Sequence, residues 1–273
     1  MVAIYKSGMG AALQDIAVIS NNIANAGTVS FKRSDTIFED IYATEKNRTS
    51  EIRLGNGVQK LEPRRAHQQG SFIMTNAALD LAINGEGFFA IKNPSNPDEL
   101  KYTRNGSINL TNEGELVTME GFKYLDEEGN EIKIPFTVID DQENVRRLSA
   151  INVAANGQIQ VDYGQGVSIN VATIGLSTFK DETKLRSDGN TNYIVTPESG
   201  AAINSAPQDS STSTGTIQSG ALEAANVDTT NELARLLRAQ QAFSGTSRLM
   251  QADVDMIRRL IAVSYTHLTL PTK

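Results

Sequence analysis

The side chains that could run a reaction are few. The chain has no Cys and 2 His. That removes thiolate nucleophiles, Cys-ligated metals and disulfide staples. It also leaves too few imidazoles for a His-based triad or metal centre. His67 stands in Arg64-Arg65-Ala66-His67-Gln68-Gln69-Gly70 with no second His nearby, so a surface or interface hydrogen-bonding role is expected of it. Carboxylates cluster at Asp126-Glu127-Glu128 and Asp140-Asp141. A carboxylate pair doing acid–base work needs apolar surroundings that separate two pKa values. These clusters sit in polar, turn-rich text and read as solvated loops. Gly55-Asn56-Gly57, Gly85-Glu86-Gly87 and Gly164-Gln165-Gly166 each contain GxG. None opens a helical pattern, so none has the helix N-terminus that would hold a phosphate, and all three read as turns. Asn47-Arg48-Thr49 matches a glycosylation sequon, a match too short to carry weight. The expectation is a protein without cofactor or metal, and not an enzyme.

Charge narrows the partners. The 273 residues carry 25 Lys+Arg against 32 Asp+Glu, a net charge of −7. A general nucleic-acid binder needs a basic footprint to displace counterions, so none is expected. Arg64-Arg65 and Arg146-Arg147 read as partners for acidic neighbours. No run of 18 apolar residues exists, so no membrane insertion is expected. Lys6 and Asp15 interrupt the N-terminal apolar text, which ends in Ser20-Asn21-Asn22-Ile23-Ala24-Asn25 rather than a small-residue cleavage site. It does not read as a secretory signal, so any export keeps the N-terminus.

What must be positioned is therefore a surface. Val2, Tyr5, Met9, Ala12, Ile16, Ile19 and Ile23 step alternately by 3 and 4, the spacing of a coiled-coil-like seam. A helix is predicted over about 3–25, with Gly27 as the left-handed residue that ends it. At the other end Leu233, Leu236, Gln240, Phe243, Ser247, Met250, Val254, Ile257 and Ile261 step the same way. Thr229 and Glu232 are spaced as a capping box, and Arg258 and Arg259 fall where the last turn is expected. Gln240 and Ser247 are polar interruptions that could set register. A long helix with one narrow apolar stripe needs a partner along its length. Periodicity leaves two solutions open: the seams pair within one chain, or they join neighbouring copies.

The middle of the chain is β text. Four Asn-Gly pairs, at 56, 84, 105 and 156, signal tight turns. Strands are predicted at Ser71–Thr75, Leu79–Ile83, Gly87–Lys92, Lys101–Arg104, Ser107–Leu110, Glu115–Thr118, Gln158–Asp162, Ser168–Phe179 and Asn192–Thr196. Such short strands suggest an antiparallel barrel or sandwich. The fold class is α+β, with long N- and C-terminal helices flanking a central antiparallel β domain. The expected division is a helical domain of 1–43 with 221–262, an extended linker of 44–78 with 198–220, and a β-rich outer domain of 79–197. Ser, Thr, Gly and Ala dominate 198–220, which reads as flexible or extended.

Three sets of residues resemble one family. The first is Ser7-Gly8-Met9-Gly10, then Asn21-Asn22-Ile23-Ala24-Asn25, Phe31-Lys32 and Phe38-Glu39-Asp40. The second is Leu79-Asp80-Leu81-Ala82-Ile83-Asn84-Gly85-Glu86-Gly87-Phe88-Phe89, Tyr102-Thr103-Arg104-Asn105-Gly106 and Gly114-Glu115-Leu116-Val117. The third is Gln218 through Asp228 with Gln240-Gln241-Ala242-Phe243. In this order they resemble the bacterial flagellar rod and hook proteins. Length and motif order are closest to the distal rod subfamily, with a proximal rod or short hook protein as alternatives. The resemblance implies a structural subunit whose terminal helices line a helical tube of the basal body. It implies type III export without cleavage, and partners among other copies, rod and hook subunits and surrounding ring proteins. From other classes, a coiled-coil adhesin or stalk and a β-scaffold glycosidase are the rivals. Residues 263–273 fit neither helix nor family ending and are read as a non-native tail.

Overall fold

The computed structural model describes residues 2–42, 55–139, 144–164, 166–209 and 212–268. Asn47-Arg48-Thr49, Asp140-Asp141, Gln165 and 269–273 lie outside them. An N-terminal helix, a central antiparallel β region and a C-terminal helix follow in order. The chain separates into two compact units. One comprises 1–26, 34–66 and 227–273, the other 27–33 and 67–226.

In the helical unit, α1 spans Val2–Ala24 and α2 spans Thr229–Leu268. At 1.5 Å per residue they are roughly 35 and 60 Å long. Asn22 meets Glu232 at 3.1 Å, and the Cβ position of Gly8 lies 3.7 Å from Thr246 Cγ2. The two helices therefore run antiparallel in constant register. Continued to the start of α1, that register sets Val2 level with Ala252, so about 24 Å of α2 runs on beyond it. The strands Phe38–Tyr42 and Gly55–Lys60 pair antiparallel, and the second packs on α1, where Ser7 Oγ accepts from Val58 N at 3.3 Å.

Several sequence expectations change here. Asp228, not Thr229, caps α2, its Oδ1 accepting from the backbone N–H groups of Thr230 and Asn231. Asp is at least as good a cap as Thr and stands one residue earlier. Gly27 is not left-handed; the positive φ, 56°, falls on Ser30. Helix α2 continues to Leu268, so Arg258 and Arg259 are not in its last turn. Val263 to Leu268 contain no Pro, and propagation adds one hydrogen bond per residue fixed.

The β unit is built on one strand, Phe88–Asn93. Asn96–Thr103 pairs along one edge of it, and the other edge is shared by Leu176–Thr178 and Lys123–Tyr124. The sheet continues through Leu116–Val117 to Asn109–Leu110 on one side, and through Asn192–Ile194 to Arg186–Gly189 on the other. Side chains alternate across a strand. Phe89 and Ile91 thus enter the main core with Leu81, Ile83, Leu116, Tyr124, Ile134, Ile159, Val161, Ile174, Leu176 and Ile217. Phe88 and Ala90 enter a smaller one with Tyr102, Leu125, Leu185 and Tyr193. A three-stranded meander of Ala150–Val153, Gln158–Asp162 and Ser168–Thr173 packs Val153, Ile159 and Val161 into the main core. The 198–220 stretch carries two strands. Ile203–Ser205 pairs with Leu176–Thr178, and Thr216–Ser219 pairs with Leu81–Asn84 and buries Ile217.

Candidate functional site

Within the β unit, the quoted motif residues converge on one buried charge cluster. Lys32 Nζ donates to Glu223 Oε1 at 2.6 Å and to the Gln68 carbonyl at 2.8 Å. Arg104 Nε lies 3.2 Å from Glu223 Oε2, and the Gly70 N–H also donates to Glu223 Oε1, at 2.8 Å. Lys32 and Glu223 are fully buried and Arg104 nearly so. Arg104 also donates to the Gly85 carbonyl and lies over the Phe88 ring, 5.6 Å from its centroid. Ser30 ties in the backbone: its N–H donates to the Glu223 carbonyl and its hydroxyl to the Arg104 carbonyl.

Burial, then the neighbouring Arg104, lower the Lys32 pKa, while Glu223 pulls it back up. Glu182 is a second carboxylate facing this group. Burial raises its pKa, Arg104 and Lys32 oppose the rise, and Glu86 and Asp181 reinforce it. A buried ion cluster of this kind holds a geometry, because removing one member leaves an uncompensated charge. Asn226 closes the arrangement: its Oδ1 accepts from Arg33 N at 2.7 Å and its Nδ2 donates to the Gln68 carbonyl at 2.9 Å. One side chain thus laces three backbone segments of this unit.

The other motif residues are supports. Phe31, Phe88, Phe89 and Tyr102 are core. Gly85 and Gly87 have positive φ, 110° and 130°, which L side chains rarely adopt. At Gly106 a Cβ would collide with the Leu81 carbonyl. His67, expected in a surface or interface hydrogen-bonding role, is half-buried and packs edge-on against Phe88 and Tyr193, with centroids 5.6 and 5.3 Å away. Its ring is amphipathic, and the aromatic neighbours give its apolar faces a place.

The helical unit has its own polar clamp. Asn22 is fully buried. Its Nδ2 donates to the Ser34 carbonyl and to Glu232, and its Oδ1 accepts from Ser34 N. Glu232, expected only as a capping partner, is buried and also accepts from Arg235 at 3.0 Å. Arg235 reaches Asp35 at 3.0 Å and Asp15 at 3.9 Å. Burial alone would lower its pKa, but the hydrogen bond to Asp35 and the three carboxylates raise it. Asn21 is exposed, and Asn25 Nδ2 turns back to the Asn21 carbonyl.

The two apolar stripes are only partly covered within the chain. On α1, Ala12 and Ile19 are buried, Tyr5, Met9, Ile16 and Ile23 half-buried, and Val2 exposed. On α2, Leu236, Phe243, Ser247, Met250 and Val254 are half-buried. Leu233 and Gln240 are exposed, and Ala239 takes the buried place expected of Gln240. A straight helix drifts against a strict 3.5-residue repeat, and the small Ala lets the inward face follow that drift. Past Ala252, Met256, Ile257, Leu260 and Ile261 are 61, 45, 65 and 53% exposed. A groove of about 430 Å³ lies along α2 between Leu237 and Arg248, over Ser244 and Gly245.

The description "Flagellar hook protein FlgE/F/G D1 domain" matches residues 82–161. "Flagellar basal body rod FlgEFG protein C-terminal" matches 218–263, and "Flagella basal body rod protein" matches 5–32. The flagellar basal-body rod protein FlgG of Buchnera aphidicola subsp. Acyrthosiphon pisum is 33% identical over 94% of this chain and 96% of its own length. FlgG of Caulobacter vibrioides is 33% identical over 92% of this chain and 94% of its own length, and FlgG of Bacillus subtilis 31% over 93% and 95%. The chain belongs to the flagellar rod and hook protein family. The likeness to FlgG spans nearly the whole chain, and the family match at the C-terminal end stops at residue 263.

The sequence alone did not assign a role to Glu223, Glu182, Asn226 or Arg235. The signal for Glu223 is present in hindsight: a single charge inside Ala221-Leu222-Glu223-Ala224-Ala225. A fully buried Glu needs a partner, and its small apolar neighbours are the kind of residue most often found buried.

Proposed function

We propose that this chain is a structural axial subunit of the flagellar rod that polymerises through its helical unit into a helical tube. The observation that carries the reading is the stretch of α2 beyond the start of α1, which leaves Met256, Ile257, Leu260 and Ile261 exposed. Burying such side chains on a neighbour gains about 25 cal/mol per Å² of apolar surface. Coiled-coil-like packing of these stripes against other copies would cover them, and a head-to-tail contact that does not close gives a filament. The proposed interface residues on α1 are Val2, Tyr5, Met9, Ile16 and Ile23, whereas Ala12 and Ile19, expected in the same seam, are already buried within the chain. On α2 the proposed interface residues are Leu233, Leu236, Gln240, Phe243, Met250, Val254, Ile257 and Ile261. Among the described residues no helix is long and apolar enough to cross a membrane. We place the subunit in the basal body, exported without cleavage, with rod and hook subunits as neighbours and ring proteins around it. We take 67–226, which includes the paired strands of 198–220, as the outer β-rich part in place of 79–197 alone, and 263–273 as a non-native tail.

The test is complementation of a strain lacking the protein. The parent chain should restore flagella and motility. Ile257→Asp and Leu260→Asp should yield folded subunits that are not incorporated, because each would bury an unpaired carboxylate at the contact. Normal filaments from either variant would overturn the reading.

A further inference from the structure

The four Asn-Gly pairs have equal intrinsic chemistry, and the fold treats one of them differently. In such a pair the backbone nitrogen of the glycine can attack the asparagine carboxamide, provided that nitrogen and the side chain are both free to move. At Asn84-Gly85 the glycine N–H donates to Gln69 Oε1 at 3.1 Å. At Asn105-Gly106 the carboxamide oxygen accepts from Ser107 N, and Gly106 is buried against Leu81. At Asn156-Gly157 the carboxamide accepts from Gln158 N, Gly157 N donates to the Ala154 carbonyl, and Pro207 covers the glycine.

Asn56-Gly57 is held differently: Gly57 is half-buried against Ser7, but among the described residues no side chain holds its N–H. The pairing steps from Asp40 opposite Val58 to Tyr42 opposite Gly55, so Asn56 and Gly57 together face Ile41. That is a bulge, out of the regular ladder. Asn56 is exposed, and its carboxamide makes no hydrogen bond among the described residues. We propose that Asn56-Gly57 is a site of spontaneous covalent modification in the folded protein. The Gly57 nitrogen, giving its proton to solvent hydroxide, bonds to Asn56 Cγ. The Cγ–Nδ2 bond breaks and ammonia leaves with a proton from water. Water then opens the resulting succinimide at either carbonyl, giving aspartate or isoaspartate.

The site matters because of what lies under it. Gly57 packs directly on Ser7 of α1, and Ser7 Oγ also accepts from Val58 N. Isoaspartate inserts an extra methylene into the backbone at this contact and adds a negative charge. Ageing of the protein thus acts on the seat of the paired strands Phe38–Tyr42 and Gly55–Lys60 against α1.

The experiment is prolonged incubation of the full-length folded protein at mildly alkaline pH, with peptide mapping by mass spectrometry. The peptide holding Asn56 should show the amide-to-acid mass change about tenfold faster than those holding Asn84, Asn105 and Asn156, the fold restraining the last three. In concentrated urea the four rates should converge. Equal rates in the folded protein, or faster conversion at any of the other three, would overturn the proposal. An Asn56→Gln chain should lose the fast acidic species and keep its helix content; persistence of that species would overturn it as well.

Discussion

Removing the Glu223 carboxylate should cost the β unit more than any other single change of charge. Glu223 is fully buried between Lys32 and Arg104 and also accepts from the Gly70 N–H. Breaking a buried ion cluster by deleting one partner costs about 3–5 kcal/mol, since the remaining charges stay buried without compensation. Here two cations would remain, with Glu182 as the nearby acid that already faces both. For a unit of this size each kcal/mol lowers Tm by about 2–4 °C, so a drop of about 6–20 °C is expected. The assay is thermal unfolding of the full chain by near-ultraviolet circular dichroism. The chain has no Trp, and Tyr102, Tyr124 and Tyr193 are buried in this unit. Glu223→Gln keeps the shape and one acceptor but not the charge. If the charge is what holds Lys32 and Arg104, Gln should lose nearly as much as Ala. A Gln variant as stable as the parent would refute the electrostatic account and leave only packing.

Other outcomes follow from the same geometry. Asn22→Ala removes three hydrogen bonds, leaving Ser34 N without this acceptor and Glu232 with Arg235 but without Asn22, so the helical unit should lose about 2–4 kcal/mol, read as helix signal against urea. Ile19→Ala deletes a fully buried side chain and should cost that unit about 2–5 kcal/mol in the same titration. Gly106→Ala sets a methyl group on the Leu81 carbonyl and should cost the β unit about 3 kcal/mol in thermal unfolding. Glu182 has its folded pKa above the ordinary carboxylate value, chiefly from burial. Its cost is absent below that ordinary value and sets in as pH rises through it to the folded pKa. Glu182→Gln should therefore be more stable than the parent at neutral pH, with the difference closing at about pH 4. A difference independent of pH would contradict that assignment.

Elements set by local spacing were legible in the residues, and distant charge partnerships were not. The 3,4 stepping located α1 to within a residue or two, and the alternation in Gln158–Asp162 located that strand to the residue. Both signals lie within a few positions along the chain. Lys32 and Glu223 stand 191 positions apart, so nothing local in either could say that they meet. Asn22 was visible as part of a pattern, but its role depends on Ser34 and Glu232 arriving from other segments. The cap at Asp228 was misplaced by one because Asp228, Thr229 and Thr230 are all competent caps. The inward place of Ala239 in preference to Gln240 follows from helical drift, which a strict heptad count ignores.

The central claim concerns the far end of α2, and the absence of any Cys makes a direct measurement simple. Leu260→Cys introduces a single thiol at a position 65% exposed in the subunit. Its maleimide reaction rate is compared in dilute subunits and in isolated basal bodies built from the same variant. Fast labelling of the dilute subunit and strong protection in the assembled rod is the predicted result. Equal labelling in both states would mean that no neighbour covers this helix, and would contradict the account.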